Sequence, residues 1–498
     1  MPALRIRTVR LAPALLVGAL LASAQALAAG PPASGSAAPA PRPAAAPAGA
    51  SLSPAVLDEA RSLRDRGLRD DVGYEVLRSL TTEVGPRAAG TAGDARAVAW
   101  ALAKLRSLGF TNVHAESVYV PHWIRGEARA EITAPWPQSL VAVALGGSVP
   151  TPAGGLEGEV VPVTSLDELK LVPPERVKGR IVFFTGRMER TRDGQGYSRA
   201  VAPRGTGAAE AAKLGAVAMV MRSAGTSTNR IAHTGAQRRD NGVPPIPALA
   251  LSNPDADMVE QQLASGKPVR IRLAVTSQWA DSVRSANVIG EIPGRGPAKE
   301  YVILGAHLDS WDLGTGAHDD AAGVAIVTAA ARLIGELKPR PRRTIRVVLF
   351  ANEEFGLSGA RAYSRLHAAE ADRYVLGMES DLGAFRLWGM SSRVPLEYLP
   401  LIHAIHSVIE PLGVQFTGNE ASGDADVGQL RELGVPVVDL RSDAAPYFDL
   451  HHTANDTFDK VDPQWVRQNV AAFAAVAYLG AEVEGGFGRA PKGAVGRP

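Results

Sequence analysis

Apolar positions along the chain change rhythm twice. From Pro54 to about Gly109 they recur at helical spacing, most clearly over 95–108, where an apolar stripe stops at Gly109. Between about 150 and 285 short β runs alternate with turns. A strand is predicted over 179–184, then a short helix over 208–214 feeding a strand over 216–221, then an apolar run at 245–251 feeding a helix over 255–263. After Asn287 strand and helix alternate strictly. Strands are predicted over 301–306, 344–350, 374–378 and 435–440, with helices over 321–337, 357–367, 397–412, 427–432 and 463–483. That alternation predicts right-handed crossovers and an α/β fold, a doubly wound and mostly parallel sheet covered on both faces. The β-rich stretch 151–285 reads as an insertion that splits the main domain into 53–150 and 286–485. In such a sheet ligands bind beyond the carboxyl ends of the strands.

The two ends of the chain follow neither rhythm. Arg5, Arg7 and Arg10 precede an apolar run over 11–22 and the small-residue pattern Ala26-Leu27-Ala28, so 1–28 reads as an export signal cleaved near Ala28. Its apolar core is short for a membrane span of about 20 residues. The expectation is an exported protein, periplasmic or secreted, with no membrane span after cleavage. Residues 29–52 are almost wholly Ala, Pro, Gly and Ser and read as a linker, and 486–498 as a flexible tail.

Composition narrows the chemistry. With 53 Lys+Arg against 51 Asp+Glu the net charge is +2, and no basic stripe offers a footprint for nucleic acid. The absence of Cys excludes disulfide frameworks, thiolate metal sites and cysteine nucleophiles. No Gly-x-Ser-x-Gly follows a suitable strand, which removes the serine hydrolase signature. Any metal must be held by His and carboxylates.

Those residues gather where the sheet would place a ligand. His307 and Asp309, then Asp319 and Asp320, follow the 301–306 strand; Glu353 and Glu354 follow 344–350; Glu379 and Asp381 follow 374–378; His451 and His452 lie beyond 435–440. Singly, each reads as a helix cap or a solvated loop residue. Together at one rim, unpaired carboxylates would repel and raise one another's pKa, and a bound cation removes the conflict. Imidazole with carboxylate suits zinc better than calcium or magnesium. Three carboxylates and a hydroxide balance two divalent ions, which together would clamp a carbonyl and acidify a bridging water. An adjacent acid that is not a ligand serves as general base, and Glu353-Glu354 fits that division.

The strings themselves resemble a known family. Gly305-Ala-His307-Leu-Asp309-Ser-Trp-Asp312, continuing to Asp319-Asp320-Ala-Ala-Gly323, is similar to the first metal motif of the co-catalytic di-zinc aminopeptidase and glutamate carboxypeptidase family. Asn352-Glu353-Glu354-Phe-Gly356, Glu379-Ser-Asp381 and His452-Thr-Ala-Asn-Asp456-Thr resemble the second, third and fourth. The resemblance covers about 55–485. It implies a zinc exopeptidase fold of the phosphorylase/hydrolase-like type, with a protease-associated domain as the insertion. It implies two Zn2+ per chain: His307 and Asp381 on one, Glu354 and His452 on the other, Asp319 bridging them. Glu353 is then the general base, and Asp309 the hydrogen-bond partner of the far nitrogen of His307. His451 stands where simpler members carry a carbonyl-polarising Tyr, and Asp426 lies where relatives shape the pocket for the substrate terminus. The Gly85-Pro-Arg87-Ala-Ala-Gly90-Thr91 stretch also resembles the family, with a structural purpose.

The implied function is hydrolysis of dipeptides or of terminal residues of short peptides by a metal-bridging hydroxide, in a chain for which a homodimer is compatible. Two other functions share the scaffold: a non-catalytic receptor, which would have lost ligands that are all present here, and a single-zinc glutaminyl cyclase. His318, His403 and His406 lack matching ligand positions and read as loop or helix residues.

Overall fold

Two long strands, Thr111–Ile124 and Gln278–Ile292, pair antiparallel with Ile124 opposite Gln278, so everything between them leaves and re-enters the main sheet at one point. The computed structural model describes residues 51–240, 242–296 and 299–491. The expected export signal and nearly all of the 29–52 linker lie outside the described residues, as does the end of the 486–498 tail. No helix among the described residues is long and apolar enough to cross a membrane.

The main sheet has eight strands in the order Thr111–Ile124, Gln278–Ile292, Thr344–Phe350, Tyr301–His307, Tyr374–Glu379, Val437–Ser442, Leu387–Arg393, Gln415–Gly418. Its centre is parallel: Tyr301–His307 lies between Thr344–Phe350 and Tyr374–Glu379, and the latter pairs with Val437–Ser442. Antiparallel pairs flank that centre and a further parallel pair closes one edge, so the sheet is mixed, with parallel pairings in the majority as expected. The central strands are apolar on both faces, the mark of a sheet covered on both sides. Val302, Leu304 and Ala306 join one core with the helices Pro54–Gly67, Val72–Ser79, Ala322–Gly335, Leu399–Ile409 and Pro463–Glu482. Ile303, Val348 and Phe350 point the other way, toward Ser358–Leu366 and Gly428–Arg431.

A second sheet of eight strands sits between Ile124 and Gln278. Its order is Gln138–Leu140, Ala128–Ala134, Arg270–Val275, Leu156–Val163, Ile181–Phe184, Ala218–Arg222, Ala248–Leu251, Ala142–Ala144. Its strands therefore begin at Ala128, ahead of the change of composition near 151. Both sheets belong to one compact unit.

Most predicted elements appear within a few residues of their expected bounds. The short helix at 208–214 is instead the end of Gly196–Lys213, whose rhythm is broken by Pro203 and by glycines at 205 and 207. The last two strands of the main sheet, Leu387–Arg393 and the edge strand Gln415–Gly418, were not foreseen; polar and glycine positions there dilute the apolar signal.

Candidate metal centre

Parallel strands deliver their carboxyl ends to one rim. His307 is the last residue of its strand and pairs with Phe350, and Gly305 pairs with Glu379, so the loops carrying Asp309, Glu353 and Asp381 all start side by side. After Phe350, Asn352 takes a left-handed conformation (φ 58°), turning the chain to present Glu353 and Glu354. The main-chain N–H of Glu353 donates to Asp309 Oδ1 at 3.0 Å. Asp320 starts the next helix, accepting the N–H of Gly323 at 2.8 Å and that of His307 at 3.2 Å. Position 323 has no room for a side chain, because a Cβ there would stand 2.0 Å from the carbonyl oxygen of Ser380.

Asp319 joins two imidazoles. Its Oδ1 lies 3.1 Å from His307 Nε2, and its Oδ2 lies 3.3 Å from His452 Nε2. Each imidazole meets a second carboxylate: Asp381 Oδ1 at 3.1 Å from His307, Glu354 Oε2 at 2.9 Å from His452. All five expected ligands therefore converge, as two His-carboxylate pairs sharing Asp319. The donor set fits a pair of divalent ions, since Asp319 Oδ2 and Glu354 Oε1 are buried without a hydrogen-bond partner.

The charges carry the same message. Burial, together with the neighbouring Asp381, pushes Glu353 up to about 8. Burial and then Asp319 and Glu353 hold Glu354 well above the usual carboxylate range. Burial lowers His452, aided by His451 and Arg204, and keeps it neutral and able to bind metal. Burial opposes protonation of His307, yet the surrounding carboxylates, Asp381 first, raise it well above its ordinary value. Cations in place of protons would relieve this crowding.

The remaining expected residues fall as follows. His307 Nδ1 meets the main-chain oxygen of Asp309 at 3.1 Å, and the Asp309 carboxylate stands back at 3.6 Å, so the anticipated contact comes from the backbone. His451 stacks face to face on His452 with centroids 3.5 Å apart, and its Nε2 is 3.7 Å from Asp319 Oδ2. Asp426 is fully buried, its N–H tied to Glu379 at 2.9 Å and both its carboxylate oxygens without a partner. Asp424, rather than Asp426, lines the cavity of about 180 Å³ beside Asp381, along with Tyr197, Arg441 and Phe448. A second cavity of about 200 Å³, lined by Trp123, Trp311 and Phe355, opens on the Glu354 side. His318 stacks on Phe385 and contacts only main chain through its nitrogens, and His406 reaches the carbonyl of Val414, so neither joins the centre.

Two kinds of support surround the ligands, the first within the Gly85–Thr91 stretch for which a structural purpose was expected and the second not foreseen. Arg87 is completely buried and directs its guanidinium to the carbonyls of Leu308 (2.6 Å), Thr315 (2.6 Å), Gly316 (3.0 Å) and Gly85 (3.3 Å). It thus braces the whole loop between His307 and Asp319; an arginine amid Gly, Pro and Ala was the available signal. On the far side, support comes from the second-sheet region. Thr234 N–H donates to the carbonyl of His452 at 2.9 Å, holding that residue in a left-handed conformation (φ 62°). His452 Nδ1 faces the carbonyl of Thr234 at 3.2 Å and Arg204 Nη1 at 3.1 Å.

Residues 287–477, which contain every one of these ligands, match peptidase family M28. Carboxypeptidase Q of Mus musculus is 35% identical over 411 residues, 82% of this chain and 86% of that protein. The Homo sapiens carboxypeptidase Q is 35% identical over 418 residues, covering 84% and 87%. The chain belongs to peptidase family M28. A crystal structure of the Peptidase M28 precursor from Shewanella amazonensis SB2B superposes with a TM-score of 0.86 at 46% identity, covering 88% of this chain and 99% of that one. The zinc aminopeptidase of Bacillus subtilis shares the fold, with a TM-score of 0.60 at 18% identity over 83% of this chain and 95% of that one. Membership of M28 meets the expectation of a zinc metallopeptidase acting on peptides, on a mixed α/β fold with two multistranded sheets.

Proposed function

We propose that the chain is an exported di-zinc exopeptidase that hydrolyses dipeptides or removes terminal residues from short peptides. The observation that carries the two-ion reading is the placement of Asp319, with one oxygen toward His307 and Asp381 and the other toward His452 and Glu354. On this reading His307, Asp381 and Asp319 would hold one zinc, and Glu354, His452 and Asp319 the other. Bound zinc supplies polarisation of the scissile carbonyl and a more acidic water. Glu353 stands beside these ligands without being one. It takes the proton of the attacking water as the O–C bond forms, then passes it to the amine nitrogen as the C–N bond breaks.

The two cavities, on the Asp381 side and the Glu354 side, favour a substrate with about one residue on each side of the scissile bond. The names of the relatives span carboxypeptidase and aminopeptidase, so the terminus recognised is decided by experiment. The second-sheet region is assigned as a protease-associated type insertion, and export rests on the signal-like pattern of residues 1–28. The test is a panel of free dipeptides, N-blocked dipeptides and aminoacyl anilides, offered to zinc-loaded and chelated protein. Hydrolysis of free dipeptides only when zinc is loaded supports the reading; equal rates with and without zinc, or no hydrolysis of any member, overturn it.

A further inference from the structure

The second-sheet region does more than flank the centre. Its helix Gly196–Lys213 brings Tyr197 and Arg204, two turns apart and so on the same helix face, against the His451–His452 pair. Tyr197 is clamped there. Its ring stacks on Phe448 with centroids 4.6 Å apart at 26°, and meets His451 edge-on at 5.2 Å and 90°. Main-chain bonds fix the clamp: Ala444 N–H to the carbonyl of Arg192, and Thr226 N–H to the carbonyl of Phe448, both at 2.9 Å. Arg204 is itself anchored through Nη1, 3.4 Å from the carbonyl of Thr234 and 3.1 Å from His452 Nδ1. The Arg204 guanidinium lies over the Tyr197 ring, 5.5 Å from its centre, and Tyr197 lines the cavity that opens beside Asp381.

His451, which the sequence suggested as the group polarising the carbonyl, is poorly placed for it. Its face is covered by His452, its Nδ1 is buried without a partner, and its Nε2 faces the Asp319 carboxylate at 3.7 Å. A guanidinium held over the face of a phenol ring draws charge from it and so strengthens its O–H as a hydrogen-bond donor.

We propose that Tyr197, positioned by Arg204 and Phe448, donates the hydrogen bond that stabilises the oxyanion developing on the scissile carbonyl, so that the second-sheet region contributes a catalytic residue. This rests on the peptidase reading above. The test uses full-length zinc-loaded protein, wild type and Tyr197→Phe, with kcat and KM for a hydrolysed dipeptide and the affinity for a phosphinic dipeptide as mimic of the tetrahedral state. Tyr197→Phe is expected to lower kcat roughly 100-fold or more with little change in KM. Phosphinic dipeptide affinity should fall in parallel, with zinc content unchanged. The variant removes one oxygen, and its retained zinc content reports that the centre is intact; a variant that loses zinc counts against the proposal, since Tyr197 would then support the ligands rather than the substrate. A kcat within threefold of wild type with unaltered phosphinic dipeptide affinity overturns the role of Tyr197 and leaves the peptidase reading standing. Failure of the wild type to hydrolyse any peptide overturns both.

Discussion

The two halves of the proposed metal centre are built by different means. The half around His307 and Asp381 sits on adjacent parallel strand ends of the main sheet and is braced from within by Arg87. The half around His452 sits on a loop after the short helix Ala444–Leu450, with a left-handed backbone, and is braced from outside by Thr234 and Arg204 of the second-sheet region. A ligand on a strand end inherits its position from the sheet's hydrogen bonds. One on a loop needs partners brought from elsewhere, and here these come from more than 200 residues away in sequence.

Asp319 is the element common to both halves, and its loss should have the largest effect. Asp319→Ala is expected to abolish detectable hydrolysis and to weaken both zinc equivalents, read by elemental analysis after gel filtration. Next comes a change that spares both halves: Glu353→Gln should lower kcat by roughly 10²–10⁴-fold while two zinc ions stay bound, checked by steady-state kinetics with metal analysis. Loss of zinc in that variant would make Glu353 a ligand instead.

The halves are then separated by their braces. Arg87→Met removes a buried guanidinium that serves four carbonyls, and should weaken zinc at the His307 side by about 10–100-fold, the range for lost outer partners of metal ligands. Arg204→Met should weaken only the His452 side, by about 10-fold, toward the low end of that range because the carbonyl of Thr234 still faces the imidazole. Chelator competition, resolving the two equivalents, reads both. Equal effects of both variants on both equivalents would erase the distinction between the halves.

How much of this was legible beforehand follows the same division. The strand-end ligands announced themselves because each acidic or imidazole side chain falls directly after an apolar run, and the parallel centre of the sheet forces such positions together. The braces of the His452 half were silent. Thr234 acts through its main-chain N–H and carbonyl, which any residue possesses, and Arg204 lies in a helix whose periodicity is masked by Pro203 and neighbouring glycines. Arg87 was visible as an odd charge among small residues, but its targets are carbonyls and leave no side-chain pattern to match. The antiparallel ribbon that carries the chain from one sheet to the other was likewise hidden, since exposed polar residues interrupt the run along both strands.

The smallest expected effect is on stability. In the metal-stripped protein burial raises Glu353 from 4.5 to about 8 and Asp456 from 3.8 to about 7. The folded chain then holds protons that the unfolded chain has released, so stability should fall as pH rises from about 4.5 to about 8. Zinc-loaded protein, its carboxylates paired with cations, should lose less over that window; thermal unfolding with and without chelator measures the difference, and parallel curves would show that these groups do not face the ions.

The most direct measurement is calorimetric titration of zinc into the metal-stripped full-length chain, repeated for His307→Ala and His452→Ala. Two equivalents are expected for the wild type, with each variant losing one tight site and keeping the other. A single equivalent in the wild type, or loss of the same site in both variants, would contradict a pair of ions joined by Asp319.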